Sequence, residues 1–344
     1  MTRSTRTATL LNAYALHRLS LVPVGGPPGP LESPCAPSAW ELLLSLTAGG
    51  CHRIFLAHSG QRLEGALHVT THGYGKRWEI VRTAEPIVDS DWLPDALQAT
   101  TVAAAVAGIG KIVARIGHDD PRLAAFEDAG FRPYSQETVF AMDIGRVPAI
   151  GGGFNIRAFC KRDEWTFQRL YAAMTPPNVR QTEITTQREF LEPFARGRGV
   201  VVERGGELLA AAGSLPRRPR DTALVRLIVR VDAVAAGEAA LLATAQRLAA
   251  AGVQQAVLPV REYMADCLAA ARLAGMTPLC TRAVLVKHTA ALIRPPVFAR
   301  LREGPAAMPA VNGTRLVHNG SHVPQCRLRN EPRPRRREAP VSVA

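Results

Sequence analysis

Leu123-Ala-Ala-Phe-Glu-Asp-Ala-Gly130-Phe-Arg-Pro133 and Leu268-Ala-Ala-Ala-Arg-Leu-Ala-Gly275-Met-Thr-Pro278 align residue for residue, 145 positions apart. Each runs through small and apolar residues to an Ala-Gly break and a Pro three residues later. Val139 returns as Val284 at the same spacing. Upstream, Ala107-Gly-Ile-Gly-Lys-Ile-Val113 pairs with Ala251-Gly-Val-Gln-Gln-Ala-Val257 at an offset of 144, and Phe55-Leu-Ala-His-Ser-Gly60 with Val201-Val-Glu-Arg-Gly-Gly206 at 146. Three blocks in register identify a duplicated unit, since self-similarity at one fixed period is the mark of repeated architecture.

Periodicity gives both halves one element order. Cys51 to His58 and Leu63 to Thr71 are apolar, β-branched runs joined by Ser59-Gly60-Gln61, which predicts a hairpin; Val200 to Glu203, Gly205-Gly206 and Leu208 to Gly213 repeat it. A third strand follows at Arg77 to Thr83 and at Ala223 to Val231. Ala-rich helices are predicted over Leu93 to Ala107 and Glu238 to Ala251, with Gly108 and Gly252 as left-handed C-caps. A short buried strand comes next, then a second helix (Asp120 to Ala129; Glu262 to Ala274) and a last strand (Glu137 to Met142; Arg282 to Lys287). Helical segments at Leu10 to Leu19 and Glu164 to Met174 precede the repeat cores, each followed by a Pro-rich turn.

This order predicts an α/β (α+β) chain of two tandem domains, each a mixed, mainly antiparallel sheet flanked by helices. The domains span 1–146 and 154–291, joined by a Gly-rich linker over 147–153 and followed by a disordered Arg/Pro-rich tail over 292–344. The two halves are expected to pack as an intramolecular pseudo-dimer in a monomer, or in a homodimer.

Composition excludes several classes. With 344 residues, 47% apolar and 21% charged, the chain is neither collagen-like nor wholly disordered. The net charge of +13 points toward phosphate-bearing partners, but the tail carries ten Arg against three Glu, which leaves the folded part only mildly basic. Nucleic-acid binding through that tail ranks last, because no aromatics interleave its arginines. Six scattered cysteines with no C-x-x-C pair fit reduced thiols in the cytoplasm. No stretch offers the roughly 18 uninterrupted apolar residues of a membrane span. His68 and His72, with Cys51, His52 and His58 nearby, match no metal-ligand spacing, so no metal is expected. Gly108-Ile-Gly110 follows a helix instead of opening one, which excludes a dinucleotide loop.

The closing phrases Leu123-Ala-Ala-Phe-Glu-Asp-Ala-Gly-Phe-Arg-Pro-Tyr134 and Gln136-Glu-Thr-Val-Phe140, together with the element order, resemble the GNAT superfamily of acyl-CoA-dependent N-acyltransferases. The second half, ending in Leu285-Val-Lys-His-Thr289, is similar to a diverged copy. The resemblance implies a tandem GNAT-like protein that moves an acyl group from acetyl-CoA, as co-substrate, to an amine of a small molecule or peptide. A catalytically silent GNAT-like scaffold that binds a ligand or partner is the alternative.

The resemblance also implies where the cofactor and the protons go. The pyrophosphate belongs at the N-terminus of the helix after the fourth strand, where orphan N–H groups favour an anion. The first-half loop, Ile87-Val-Asp-Ser-Asp-Trp-Leu-Pro94, has no Gly and two Asp. The second-half loop keeps Arg230, Val231, Ala236, Gly237 and Glu238 as cofactor-binding candidates. The family often places an acidic Tyr four residues before the Gly ending the last helix, but Phe126 and Ala271 stand there, leaving Tyr134 or Tyr263 as the nearby hydroxyls. Tyr263 is the catalytic candidate for the departing thiolate. Glu79, in the strand Trp78-Glu-Ile-Val81, is the candidate base; the other reading is an outward-facing strand carboxylate.

Two further features have bland and functional readings. Arg217-Arg218-Pro219-Arg220 is a solvated loop or a receiver of an acidic substrate or CoA phosphate. Trp165, Phe167, Leu170 and Tyr171 form an apolar helix face expected in the core, with Tyr171 placed to edge an acceptor cleft.

Overall fold

A computed structural model describes residues 3–7, 21–23, 52–59, 62–72, 77–84, 92–183, 187–216 and 221–289. The helix expected at Leu10 to Leu19, the Arg217–Arg220 loop and the tail lie outside these residues. In chain order the elements are β1 (Arg3–Thr7), β2 (Leu21–Pro23), β3 (His52–Ser59), β4 (Arg62–His72), β5 (Arg77–Ala84), α1 (Trp92–Val106), β6 (Lys111–Gly117), α2 (Leu123–Asp128) and β7 (Arg132–Asp143). The second half follows as β8 (Asn155–Ala158), α3 (Glu164–Met174), α4 (Pro177–Glu183), α5 (Gln187–Leu191), β9 (Val200–Arg204), β10 (Glu207–Pro216), β11 (Thr222–Val229), α6 (Val234–Ala250), β12 (Gln255–Arg261), α7 (Ala265–Leu273) and β13 (Thr277–His288).

Both hairpins form as expected: β3 pairs antiparallel with β4, and β9 with β10. β4–β5 and β10–β11 extend each meander, and the helical crossovers through α1 and α6 bring β6 parallel to β5 and β12 parallel to β11. Gly108 and Gly252 follow their helices at φ +73° and +77°, the left-handed cap that a Cβ would strain.

The last strands break the simple repeat. β7 leaves its own half to pair with β12, while β13 inserts between β6 and β7, giving one sheet in the order β1-β3-β4-β5-β6-β13-β7-β12-β11-β10-β9-β8. Each half therefore finishes its sheet with the other's last strand. The cores record the exchange. Phe140 and Met142 of β7 pack with Leu227, Leu241 and Leu258 of the second half, and Ala283 and Leu285 of β13 pack with Ile112, Phe126 and Phe131 of the first.

The helices that follow the third and fourth core strands of each half, α1, α2, α6 and α7, lie on one face of the sheet. On the other face, a cluster of Phe167, Phe190 and Phe194 from α3, α5 and the turn after it covers Val201, Ala211 and Ile228 of the second half. Trp165 departs from expectation: it is 64% exposed, with the Arg169 guanidinium 4.7 Å from its ring, because residue 165 precedes the inward stripe of Phe167 by half a turn. Phe126 and Ala271 are fully buried in the two helix-side cores, with Phe126 packed edge-on against Phe131 at 5.2 Å.

Candidate active site

Both halves open at the same place. β5 pairs with β6 only from Arg77↔Lys111 to Ile80↔Ala114, and β11 with β12 only from Thr222↔Gln255 to Leu224↔Val257. Beyond those residues each parallel pair parts into a V while the strands continue, to Ala84 and Gly117 in one half and to Val229 and Arg261 in the other.

The first-half opening is bridged. Arg122, at the start of α2, donates to Thr83 Oγ1 on the β5 arm and is held by Asp120 at 2.6 and 2.9 Å. Trp92 opens α1 fully buried, its ring 2.3 Å from where a Cβ on Gly65 would stand, and Asp95 adds negative charge to the first turn. That end of the helix is filled by an indole and disfavours an anion.

The second-half opening is different. The residue equivalent to Arg122 is Cys267, a buried thiol 3.8 Å from the Leu227 carbonyl, which burial pushes up to about 12. It is inert at neutral pH. α6 starts at Val234, four residues before the Glu238 expected from sequence, with Ala233 as an N-cap that has no side-chain hydrogen bond and no acidic residue in the first turn. Gly237 lets the first turn pack closely on β11 and α7, since a Cβ there would sit 2.5 Å from Val229 and 2.8 Å from Ala270. The Ala236 and Gly237 N–H groups donate back to the Ala233 carbonyl at 2.9 and 3.1 Å, and no side chain of the N-cap Ala233 caps the turn, so the N–H groups of Val234 and Ala235 at its open end suit a pyrophosphate.

The cofactor candidates gather around this helix start in unequal positions. Val231 is 61% exposed, and Ala236 and Gly237 are buried against β11 and α7, so they offer backbone rather than side chains. Arg230 is ion-paired with Glu207 at the surface, and Glu238 falls in the second turn of α6.

The two catalytic candidates are not together. Glu79 lies on β5 and Tyr263 follows β12; the Glu79 position is matched in the second half by Leu224, with four strands between, roughly 24 Å along the sheet. Glu79 faces inward, ion-paired with Arg115 and 3.5 Å from His72 Nε2. Burial pushes its carboxyl up, but Arg115, His72 and Arg77 outweigh that and hold it below the usual glutamate value.

Glu79 begins a ladder of charges across the sheet face opposite α1, α2, α6 and α7. Arg115 Nε stands 3.7 Å from Glu137 Oε2, Glu137 Oε1 accepts from Arg282 at 2.6 Å, and Arg261 Nε is 3.6 Å from Glu137 Oε2. Arg261 also donates to Glu183 Oε1 at 2.6 Å, which accepts from the Tyr134 hydroxyl at 3.2 Å. Glu183 ends α4, a second-half helix held over the first-half strands by Arg77 and Lys111, which donate to its last-turn carbonyls at Glu183 and Gln181. Tyr263 is partly buried beside this group. Burial and Glu183 raise its pKa against the pull of Arg261, so it keeps its proton at neutral pH.

Sequence reasoning missed Glu183, Arg226 and Arg261. Arg261 carried a signal, a cation ending an apolar strand; Glu183 sits on a seven-residue helix with no pattern to mark it. Among the described residues no group of three or more His, Cys, Asp or Glu could hold a metal ion, and no helix is long and apolar enough to cross a membrane.

The fold is similar to that of solved GCN5-related N-acetyltransferases, a tandem protein among them. A GCN5-related N-acetyltransferase from Sphaerobacter thermophilus superposes with a TM-score of 0.58 at 16% identity, over 83% of this chain and 96% of that one. A tandem GNAT protein from the clavulanic acid biosynthesis pathway superposes with a TM-score of 0.52 at 13% identity, over 84% of this chain and 99% of that one. No protein-family model and no curated protein matches the sequence.

Proposed function

We propose that the chain is an acyl-CoA-dependent N-acyltransferase, with acetyl-CoA as donor and an amine of a small molecule or peptide as acceptor, and that transfer takes place in its second half. The observation that carries this reading is the contrast between the two openings. One is bridged by Arg122 and plugged by Trp92; at the other the matching residue is the small thiol of Cys267 beside the Leu227 carbonyl, and the helix start has no side-chain cap. An acyl-CoA bound there supplies the activated thioester.

The remaining chemistry falls to this chain's own side chains. The acceptor ammonium must lose a proton before its nitrogen can attack. In the second half, where Leu224 replaces the Glu79 position, Glu183 is the carboxylate placed to take it: both of its described hydrogen bonds land on Oε1, leaving Oε2 to receive a proton. Glu79 serves as counter-ion to Arg115. Tyr263, kept protonated by burial, is the donor available when a thiolate departs. Scattered free cysteines support a cytoplasmic, reducing setting.

Calorimetric titration of acetyl-CoA tests the reading, run with the wild-type chain and an Ala235→Glu variant and paired with a thiol-release assay against a panel of amines. Residue 235 is exposed in the first turn of α6, so the variant places negative charge where the pyrophosphate sits without disturbing the core. One site per chain is expected, weakened about tenfold or more by the substitution. No binding removes the reading; binding without thiol release from any amine favours the silent scaffold, to which buried Phe126 and Ala271 at the family's acid position also point.

A further inference from the structure

Two arginines stand on opposite arms of the second-half opening. Arg226 lies on β11 two residues past its last pairing with β12, and Arg261 ends β12. Both point to the face covered by α3, α4 and α5, the side on which Glu183, Tyr171 and Tyr263 gather, and the two guanidinium groups are close enough to repel.

Neither is satisfied by the protein. Arg261 is 8% exposed and spends Nε and Nη2 on Glu137 and Glu183, yet its Nη1 is buried with no hydrogen-bond partner. Arg226 donates to the Phe190 carbonyl at 3.3 Å and sits 5.9 Å from the Phe190 ring; among the described residues no carboxylate comes within ion-pairing distance. Burial, Arg115 and Arg261 all weaken its hold on its proton, against the pull of Glu183 and Tyr171. A buried guanidinium donor left without an acceptor costs free energy, and a cation without a counter-ion costs more. Both costs fall away when an oxyanion enters between the arms.

We propose that Arg226 and Arg261 bind the carboxylate of the acceptor, so that the substrate is an amino carboxylate: an amine held toward Glu183 and an acid held by the two guanidinium groups. Planar, forked donors match a carboxylate's two oxygens, and the adjacent Glu183 supplies the opposite charge for the ammonium end. The proposal rests on the second-half site described above and names its substrate class.

The test separates the two readings. Saturation-transfer NMR is recorded on the full chain without acyl-CoA, using a set of L-amino acids, the matching carboxamides and O-phosphoethanolamine as probes. The acids are expected to bind roughly ten- to a hundred-fold more tightly than their carboxamides, the discrimination of one charge-assisted contact. Arg226→Met should erase that difference, and Arg226→Lys, which keeps the charge but not the fork, should restore part of it. If Arg226→Met does not fold, Arg226→Lys alone must still lose several-fold. Equal binding of acids and carboxamides overturns the proposal, as does preference for the phosphate probe or a difference that survives both substitutions. Discrimination without thiol release from acetyl-CoA leaves this site standing and removes the transfer reading; thiol release with neutral amines only does the reverse.

Discussion

Glu137 and Arg282 occupy the same position in the two repeats, 145 residues apart, and face each other across the β7–β13 pair, joined by a 2.6 Å hydrogen bond. Equivalent residues that oppose one another lie on the approximate two-fold axis relating the halves. In two identical chains such a position meets its own copy, and either residue there would face a like charge. Divergence into glutamate and arginine turns that contact into an attraction that only a tandem chain can make. Both side chains are 6% exposed, so the pair is buried.

Replacing Glu137 by Gln leaves Arg115, Arg261 and Arg282 around a neutral amide. Removal of one partner from a buried ion pair costs about 3–5 kcal/mol. Urea denaturation should show that loss, and the charge-reversed double variant Glu137→Arg with Arg282→Glu should be no more stable, because Arg115 and Arg261 still face residue 137. Rescue by the reversed pair would show that the flanking arginines are not coupled to it.

The same carboxylate sets an acid limit. Burial pushes Glu137 up, but Arg261, Arg282 and Arg115 outweigh burial and hold it at about 2, against 4.5 for an ordinary glutamate. A depressed folded-state value contributes stability that is complete above pH 4.5 and is lost as pH falls toward 2. Urea midpoints measured through that window should fall more steeply for the wild type than for Glu137→Gln.

Phe140 belongs by sequence to the first half and by packing to the core of the second, where it is fully buried. Phe140→Ala should cost about 3–5 kcal/mol. The loss should register at Cys267, a buried second-half thiol, as faster labelling by a thiol reagent. Unchanged protection of Cys267 would contradict the exchange of last strands.

Glu183→Gln keeps an acceptor for Arg261 and Tyr134 but takes no proton. With an active acceptor in hand, kcat should drop about 10²–10⁴-fold while acetyl-CoA affinity holds. An unchanged kcat would assign proton transfer elsewhere.

Hairpins, crossover helices and glycine caps were legible because each is written in a few adjacent residues. The partner of β7 was not. β7 and β13 are both long, largely apolar strands, and either satisfies β6 or β12 by local pattern alone, so the choice rests on contacts more than a hundred residues distant. The charge ladder left partial traces: Arg115, Glu137, Arg261 and Arg282 each interrupt a mainly apolar strand. Glu79 interrupts an apolar strand in the same way and belongs to the ladder, but its partners Arg115 and His72 come from two other strands, β6 and β4.

The exchange also sets an order in time. When β7 leaves the ribosome the first half has every strand but the neighbour of β6, and that neighbour, Thr277–His288, is a whole repeat further along. At ordinary translation rates the edge of β6 waits roughly 10–30 s for it. A nascent chain of this protein thus carries an open sheet edge while about half of its 344 residues are made, and its first half closes only as the second is completed.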